Sequence, residues 1–131
     1  MTKNLLEVKN LSVCFNRDSG NTFAAVDNIS FSLKKGEVLG IVGESGSGKS
    51  VTALSVLGLL PCGKAKLSAN SSIKLNGKEL IGAPEKDLRQ IRGGQIGFIF
   101  QEPMSSLNPL HKIGHQVAEN LLMHQKITLK Q

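Results

Sequence analysis

Apolar and polar residues alternate at the start of the chain, with Leu6, Val8, Leu11, Val13 and Phe15 separated by charged, amide or small neighbours. That period of two predicts a half-buried strand. Arg17-Asp18-Ser19-Gly20-Asn21 gathers the residue types that make turns. Ala24 to Val26 and then Ile29, Phe31 and Leu33 resume the β pattern, and Lys34-Lys35-Gly36 closes it with a second turn. The first third of the chain therefore predicts a small antiparallel sheet. The pattern then changes. Val38-Leu39-Gly40-Ile41-Val42 is apolar on both faces, as a strand inside a parallel sheet requires. A glycine-rich stretch follows. After it Val51, Leu54, Leu57 and Leu60 recur at helical spacing, with Pro61 as the expected stop.

Further on, Ile73 to Leu75 followed by Asn76-Gly77 predicts a strand entering a tight turn. Pro84 to Ile91 predicts a short helix, with Pro84 and Glu85 in its first turn and Gly93-Gly94 at its end. Ile96-Gly97-Phe98-Ile99-Phe100 reads as another buried strand, and Asn108-Pro109 as a break. Ile113, Val117, Leu121 and Leu122 predict an amphipathic helix to about His124. The last residues are polar and bring no closing element, so the natural domain is expected to continue.

Composition narrows this picture only a little. The 131 residues suit one small domain or part of a larger one, and 40% hydrophobic with 20% charged residues is ordinary for a globular chain. The net charge of +6 favours anionic partners, whether nucleotide, nucleic acid or anionic lipid. Nucleic acid is disfavoured because no basic stripe is interleaved with aromatics. Cys14 and Cys62 form no C-x-x-C pair or metal cluster and read as reduced thiols. Charges interrupt the N-terminal ten residues, so they are not expected to act as a secretory signal. The most apolar stretch, Val51 to Leu60, is half the ~20 residues a membrane helix needs, so any membrane contact is expected to run through a partner.

The chemistry concentrates in Gly43-Glu44-Ser45-Gly46-Ser47-Gly48-Lys49-Ser50, which matches G-x-x-x-x-G-K-[ST]. A nucleoside triphosphate presents many anionic oxygens. Backbone N–H groups converge on them only where no side chain intrudes, and glycine leaves that room. A helix starting near Ser50 adds its N-terminal partial positive charge. Lys49 is expected to reach the β- and γ-phosphates and the Ser50 hydroxyl to ligate Mg²⁺. The predicted order of strand, loop and helix is the context that this motif requires. A flexible glycine loop carrying an exposed lysine is the competing reading.

Val38 to Ser50 with Val51-Thr52-Ala53-Leu54 resembles the ATP-binding subunit of ABC transporters, in particular the dipeptide, oligopeptide and nickel importer group. Ala25-Val26-Asp27-Asn28-Ile29-Ser30-Phe31-Ser32-Leu33 is similar to the strand pair that precedes the loop there. Phe98-Ile99-Phe100-Gln101-Glu102-Pro103-Met104-Ser105-Ser106-Leu107-Asn108-Pro109 resembles its glutamine-loop segment. The resemblance covers nearly the whole chain. It implies an α/β fold: a P-loop NTPase core, a parallel sheet with helices, preceded by a small antiparallel β subdomain and truncated here. Residues 1–35 would be the antiparallel region, 36–100 part of the P-loop core, and 101–131 the glutamine loop and the start of a helical subdomain. ATP and Mg²⁺ would be the cofactors, bound by Gly43, Glu44, Ser45, Gly46, Ser47, Gly48, Lys49, Ser50 and Val51. Phe15 would stack on adenine, with Phe23 as alternative and strand core as the plainer role for Phe15. Gln101 would touch Mg²⁺ or the attacking water and sense the membrane subunit; a polar strand end is its plainer role. Lys49 and Gln101 are the catalytic candidates, Ser50 and Gln101 the metal candidates.

The resemblance also implies transmembrane permease subunits and a second ATP-binding subunit as partners, and a peripheral place on the cytoplasmic face of the cell membrane. The region from Gln101 to His115 would lie near the permease. Three features of the family have no counterpart in these residues: a Leu-Ser-Gly-Gly signature, an apolar strand ending in Asp-Glu, and a switch histidine. Asp87 is the only aspartate after Lys49, and no apolar strand precedes it. His111 and His115 have i,i+4 spacing, but with no further ligand evident they read as a solvated helix face. A naturally short nucleotide-binding module without hydrolysis is the alternative function. Another P-loop enzyme is a weaker one, because Asp-x-x-Gly and Asn-Lys-x-Asp are both missing.

Overall fold

Two long strands, β1 (Asn4–Asn16) and β2 (Thr22–Lys34), form a hairpin that organises the first half of the chain. The computed structural model describes residues 4–17, 20–102 and 106–125. The turn residues Asp18 and Ser19 and the segment Pro103-Met104-Ser105 of the glutamine-loop resemblance lie outside the described residues, as do residues 1–3 and 126–131. Contacts divide the chain into two units, Met1–Ala83 and Pro84–Gln131.

In the first unit β1 is the central strand. Its other edge pairs antiparallel with β3 (Ala65–Leu67) near one end and β4 (Ser72–Leu75) near the other, and β4 continues to β5 (Lys78–Glu79). The antiparallel sheet therefore draws on residues well beyond the first third. Asn76 and Gly77 have φ of 51° and 83°, the two positive values that a type I′ hairpin turn needs.

The β1–β2 register is not uniform, and this explains which residues form the core. Val8 pairs with Phe31 and Leu11 with Ile29, so β1 carries an extra residue between them. That segment includes Asn10, whose φ is 50°. A strict alternation would put Val8 and Leu11 on opposite faces, because they are an odd number of residues apart. The bulge resets the phase, and Val8, Leu11 and Val13 are all buried. A second bulge, on β2, includes Asn28 with φ 47°, and a third leaves Ala25 between the pairs Val13–Val26 and Cys14–Ala24. Serines serve the backbone groups that the first two bulges free. Asn10 N–H donates to Ser30 Oγ at 2.9 Å and Asn28 N–H to Ser12 Oγ at 2.8 Å. Ser71 Oγ donates to the Asn10 carbonyl and accepts from Ser12 N–H, both at 3.1 Å. Val26, Leu57, Ile73, Leu75 and Leu80 complete this unit's core.

The Glu79 carboxylate knits β4 to β5 from the side. It accepts hydrogen bonds from Ser72 Oγ at 2.6 Å, Ile73 N–H at 2.8 Å and Ile81 N–H at 3.2 Å. Partial burial pushes its pKa up, but these donors outweigh burial and hold it below the usual carboxylate value. A carboxylate with a depressed folded pKa stabilises the fold above its unfolded pKa and loses that contribution as pH falls through the folded value. Glu79→Gln should therefore lower unfolding stability by about 1 kcal/mol at neutral pH, with the gap closing below the carboxylate range. Denaturant titrations of both proteins from pH 7 down to pH 3 check this; a gap independent of pH would contradict it.

Helix α1 (Lys49–Val56) forms where expected but ends earlier, and its burial departs in part from the predicted stripe. Gly58, with φ 62°, stops it rather than Pro61. Leu59 N–H reaches the Leu54 carbonyl at 2.9 Å and Gly58 N–H the Ser55 carbonyl at 3.0 Å, the paired bonds of a Schellman motif. Thr52 and Ser55 are buried while Val51 and Leu54 are half-buried, and Leu57, just past the helix, is buried as its spacing predicts. The two hydroxyls return to the backbone, Thr52 Oγ1 to Gly48 O at 2.9 Å and Ser55 Oγ to Val51 O at 2.7 Å, so burial leaves neither without a partner.

The two-faced apolar runs depart furthest from expectation. Val38–Val42 and 97–100 are not strands, and Ile96 makes only a single bridge, to Arg92. Val38 is 98% exposed, Val42 95% and Ile99 93%. A parallel strand takes its ladder hydrogen bonds from neighbours on either side, and no described strand lies beside either run. The parallel core is accordingly not formed among the described residues.

The second unit holds α2 (Glu85–Ile91) and α3 (Ile113–His124). The Gly93-Gly94 turn packs tightly on α3: a Cβ on Gly93 would stand 2.7 Å from both Asn120 Oδ1 and His124 Nε2. Before α3, Gln116 clamps the Asn108-Pro109 break. Its Oε1 accepts from Asn108 N–H at 2.8 Å, and its Nε2 donates to the carbonyls of Asn108 and His111 at 2.9 Å each. The stripe of Ile113, Val117 and Leu121 is exposed, and no residue of α3 is buried.

Candidate functional site

Residues Gly43 to Ser50 form a loop running into α1, and the geometry at each glycine explains its place. Gly46 has φ 80° and Gly48 φ 88°, a left-handed region that glycine enters without a Cβ penalty. Gly48 is constrained a second time. A Cβ there would lie 2.4 Å from the Ala25 carbonyl oxygen, the residue left unpaired by the third bulge. The bulge in β2 thus pushes backbone toward the loop, and only glycine lets the loop pass. At Gly43 a Cβ would meet the Ser47 hydroxyl at 2.5 Å, a contact with a movable side chain.

Lys49 folds back over this loop. Its Nζ donates to the Gly43 carbonyl at 2.7 Å, the Glu44 carbonyl at 2.5 Å and Ser47 Oγ at 3.2 Å. An ammonium has three protons, so the three acceptors match its donors one for one. The loop is thereby wrapped around a positive charge. Gly48 caps α1 without a side-chain hydrogen bond, and the helix's first turn carries no acidic residue. The positive end of the helix dipole is therefore left for an outside anion.

A cleft of about 210 Å³ opens beside the loop, lined by Phe15, Phe23, Ala25 and the run from Gly46 to Val51. Phe15 and Phe23 are paired in register across β1 and β2, so both rings stand on one face of the hairpin. The sequence-predicted residues from Gly43 to Val51 and Phe15 thus come together in one unit. Gln101 belongs to the second unit, where it lines a surface depression with Phe100, Glu102 and Ser106. A larger concavity, along α3, is lined by His111, His115 and Glu119 among others, but it has no glycine loop and no lysine. Among the described residues no group of three or more His, Cys, Asp or Glu is arranged to hold a metal. Mg²⁺ demands little from protein: it keeps waters and takes phosphate oxygens, and one hydroxyl such as that of Ser50 fits this habit. Sequence reading missed the Ala25 carbonyl and gave Phe23 second place. Only the register and the bulge bring them to the cleft.

A glycine loop wrapped around a lysine and running into a helix N-terminus defines a phosphate-binding-loop protein. The ABC transporter family model matches residues 26–130, and the chain belongs to that family. It is 53% identical over 127 residues to the peptidoglycan transport ATP-binding protein YejF of Agrobacterium fabrum, covering 97% of this chain and 23% of that protein. The oligopeptide transport ATP-binding protein OppD of Escherichia coli is 46% identical over 124 residues, covering 95% and 36%. The dipeptide transport ATP-binding protein DppD of Bacillus subtilis is 47% identical over 126 residues, covering 96% and 37%. The chain thus spans between about a quarter and two-fifths of the length of these relatives. No described helix is long and apolar enough to cross a membrane.

Proposed function

We propose that this chain binds ATP at Gly43–Ser50 and, within the complete domain, takes part in ATP hydrolysis that drives a peptide-like solute across the cytoplasmic membrane. The observation that carries this is the Lys49 ammonium seated on the Gly43 and Glu44 carbonyls at the open N-terminus of α1. When nucleotide arrives, its phosphate oxygens offer Lys49 stronger, charged acceptors than the carbonyls it holds now. Backbone N–H groups of the loop and of the first helical turn bind the same oxygens, and Phe15 takes the base. Mg²⁺ bound with the nucleotide would be held partly by Ser50 and would neutralise charge on the β- and γ-phosphates. The relatives' names supply the peptide-like cargo.

In the complete domain Val38–Val42 and Ile96–Phe100 become parallel strands of the NTPase core. Their two-faced apolar sequence and present exposure support this, since so much exposed apolar surface calls for a cover. Transmembrane permease subunits and a second ATP-binding subunit complete the assembly at the cytoplasmic face, and membrane contact runs through the permease. Gln101 then links nucleotide to permease. In the reconstituted full-length transporter, Gln101→Ala should leave ATP binding intact while abolishing the stimulation of ATP hydrolysis by transported peptide. Assays of hydrolysis and uptake on the same vesicles check this. Unchanged stimulation and uptake would remove Gln101 from that role, and full-length protein with no ATPase activity would sink the wider reading.

A further inference from the structure

The nucleotide cleft has a wall that the loop motif does not account for. Phe23 lines it together with Phe15, its register partner on β1. Phe23 is 45% exposed, although it is large, apolar and paired near the turn end of the hairpin. Its ring is not bare on every side: the Arg17 guanidinium carbon stands 5.4 Å from the ring centroid. Arg17 is itself placed by the hairpin turn. Its N–H donates to the Asn21 carbonyl at 2.9 Å and its carbonyl accepts from Gly20 N–H at 3.0 Å. The turn thus fixes the arginine backbone, and the guanidinium restricts an otherwise exposed ring by cation–π attraction.

We infer that Phe23 is a second aromatic wall for the nucleotide's base, and that Arg17 is a positioning residue that orients its ring. This rests on the reading of Gly43–Ser50 as the phosphate site. Two rings on one face of a hairpin give a purine more apolar and π contact than one, and both rings line the same cleft as the run from Gly46 to Val51. A strand-core role does not suit Phe23, because a core residue would not be nearly half exposed. A free surface phenylalanine does not suit it either, because it lines the same cleft as Gly48 and Lys49.

The test compares a ligand with a base to one without. In the full chain, Phe23→Leu should weaken ATP binding about five- to tenfold, within the range of base–aromatic stacking. Binding of inorganic triphosphate should be unchanged, and Phe23→Trp should restore ATP affinity. Arg17→Ala should weaken ATP about two- to fourfold, the scale of an exposed cation–π pair, again sparing triphosphate. Isothermal titration gives both affinities, and thermal melts confirm that each variant is folded. Wild-type ATP affinity in Phe23→Leu overturns the proposal, and so does a parallel loss of ATP and triphosphate. Lys49→Ala separates this from the reading beneath it: if that variant still binds triphosphate as wild type, the loop assignment itself fails.

Discussion

Replacing Lys49 by alanine should cost at least a hundredfold in affinity for ATP while leaving the melting temperature nearly unchanged. The size follows from what Lys49 has to offer. Hydrogen bonds to charged groups contribute about 1.5–3 kcal/mol each, so losing two to phosphate oxygens removes roughly 3 kcal/mol or more, and each 1.4 kcal/mol is a factor of ten. The small effect on stability follows from the structure. The three present partners of Nζ are exposed loop groups, the Gly43 and Glu44 carbonyls and the Ser47 hydroxyl, which water can serve instead. Calorimetric titration with ATP and a thermal melt of the same samples check both halves. Retained wild-type affinity would mean that the loop is not where the phosphates bind.

Gly48→Ala should be the most damaging single methyl that can be added to the loop. Two terms add. The backbone sits at φ 88°, where an L-residue is disfavoured by roughly 1–2 kcal/mol. The added Cβ would also stand 2.4 Å from the Ala25 carbonyl oxygen, and that oxygen belongs to backbone and cannot swing aside. Gly46→Ala separates the terms, because Gly46 has φ 80° but nothing within 4 Å of its Cβ position. Gly43→Ala is the third member: its φ is not left-handed, and its Cβ meets side-chain atoms alone, the Ser47 hydroxyl, which can rotate, and Ser47 Cβ at 3.2 Å. The expected order of destabilisation is Gly48, then Gly46, then Gly43. For a unit of this size each 1 kcal/mol shifts the melting temperature by about 4–8 °C, so thermal melts resolve the series. Phosphate affinity should fall with Gly48→Ala as well, because relief of the clash moves the loop away from the β2 bulge. Equal effects for Gly48 and Gly46 would show that the contact with Ala25 carries no weight.

Much of this site was legible in the order of residues. Gly43, Gly46, Gly48, Lys49 and Ser50 announce the loop because phosphate binding needs bare backbone, one flexible cation and a hydroxyl in fixed sequence. The Asn76-Gly77 turn and the span of α3 were legible for a similar reason: each depends on neighbours a few residues away. The end of α1 was not. Pro61 is a strong stop, but Gly58 offers a left-handed C-terminal cap earlier, and the helix takes it. Nor was the burial of Thr52 and Ser55 beside Leu57 legible; it is tolerated because their hydroxyls are satisfied within the helix.

The sequence by itself determined the residue spacing of the glycine loop, the hairpin character of the first third and membership of the ABC transporter family. Those rest on local spacing, which a chain carries wherever it goes. Tertiary structure decided the rest. The bulges at Asn10, Asn28 and Ala25 set the register, and register brings Phe15 beside Phe23 and the Ala25 carbonyl against Gly48. A bulge is a property of two strands together, since one strand carries the extra residue only relative to its partner. The two-faced apolar runs illustrate the same division from the other side. Val38–Val42 and Ile96–Phe100 have the composition of parallel strands, but a strand exists only when neighbours accept its hydrogen bonds, and composition alone cannot bring them.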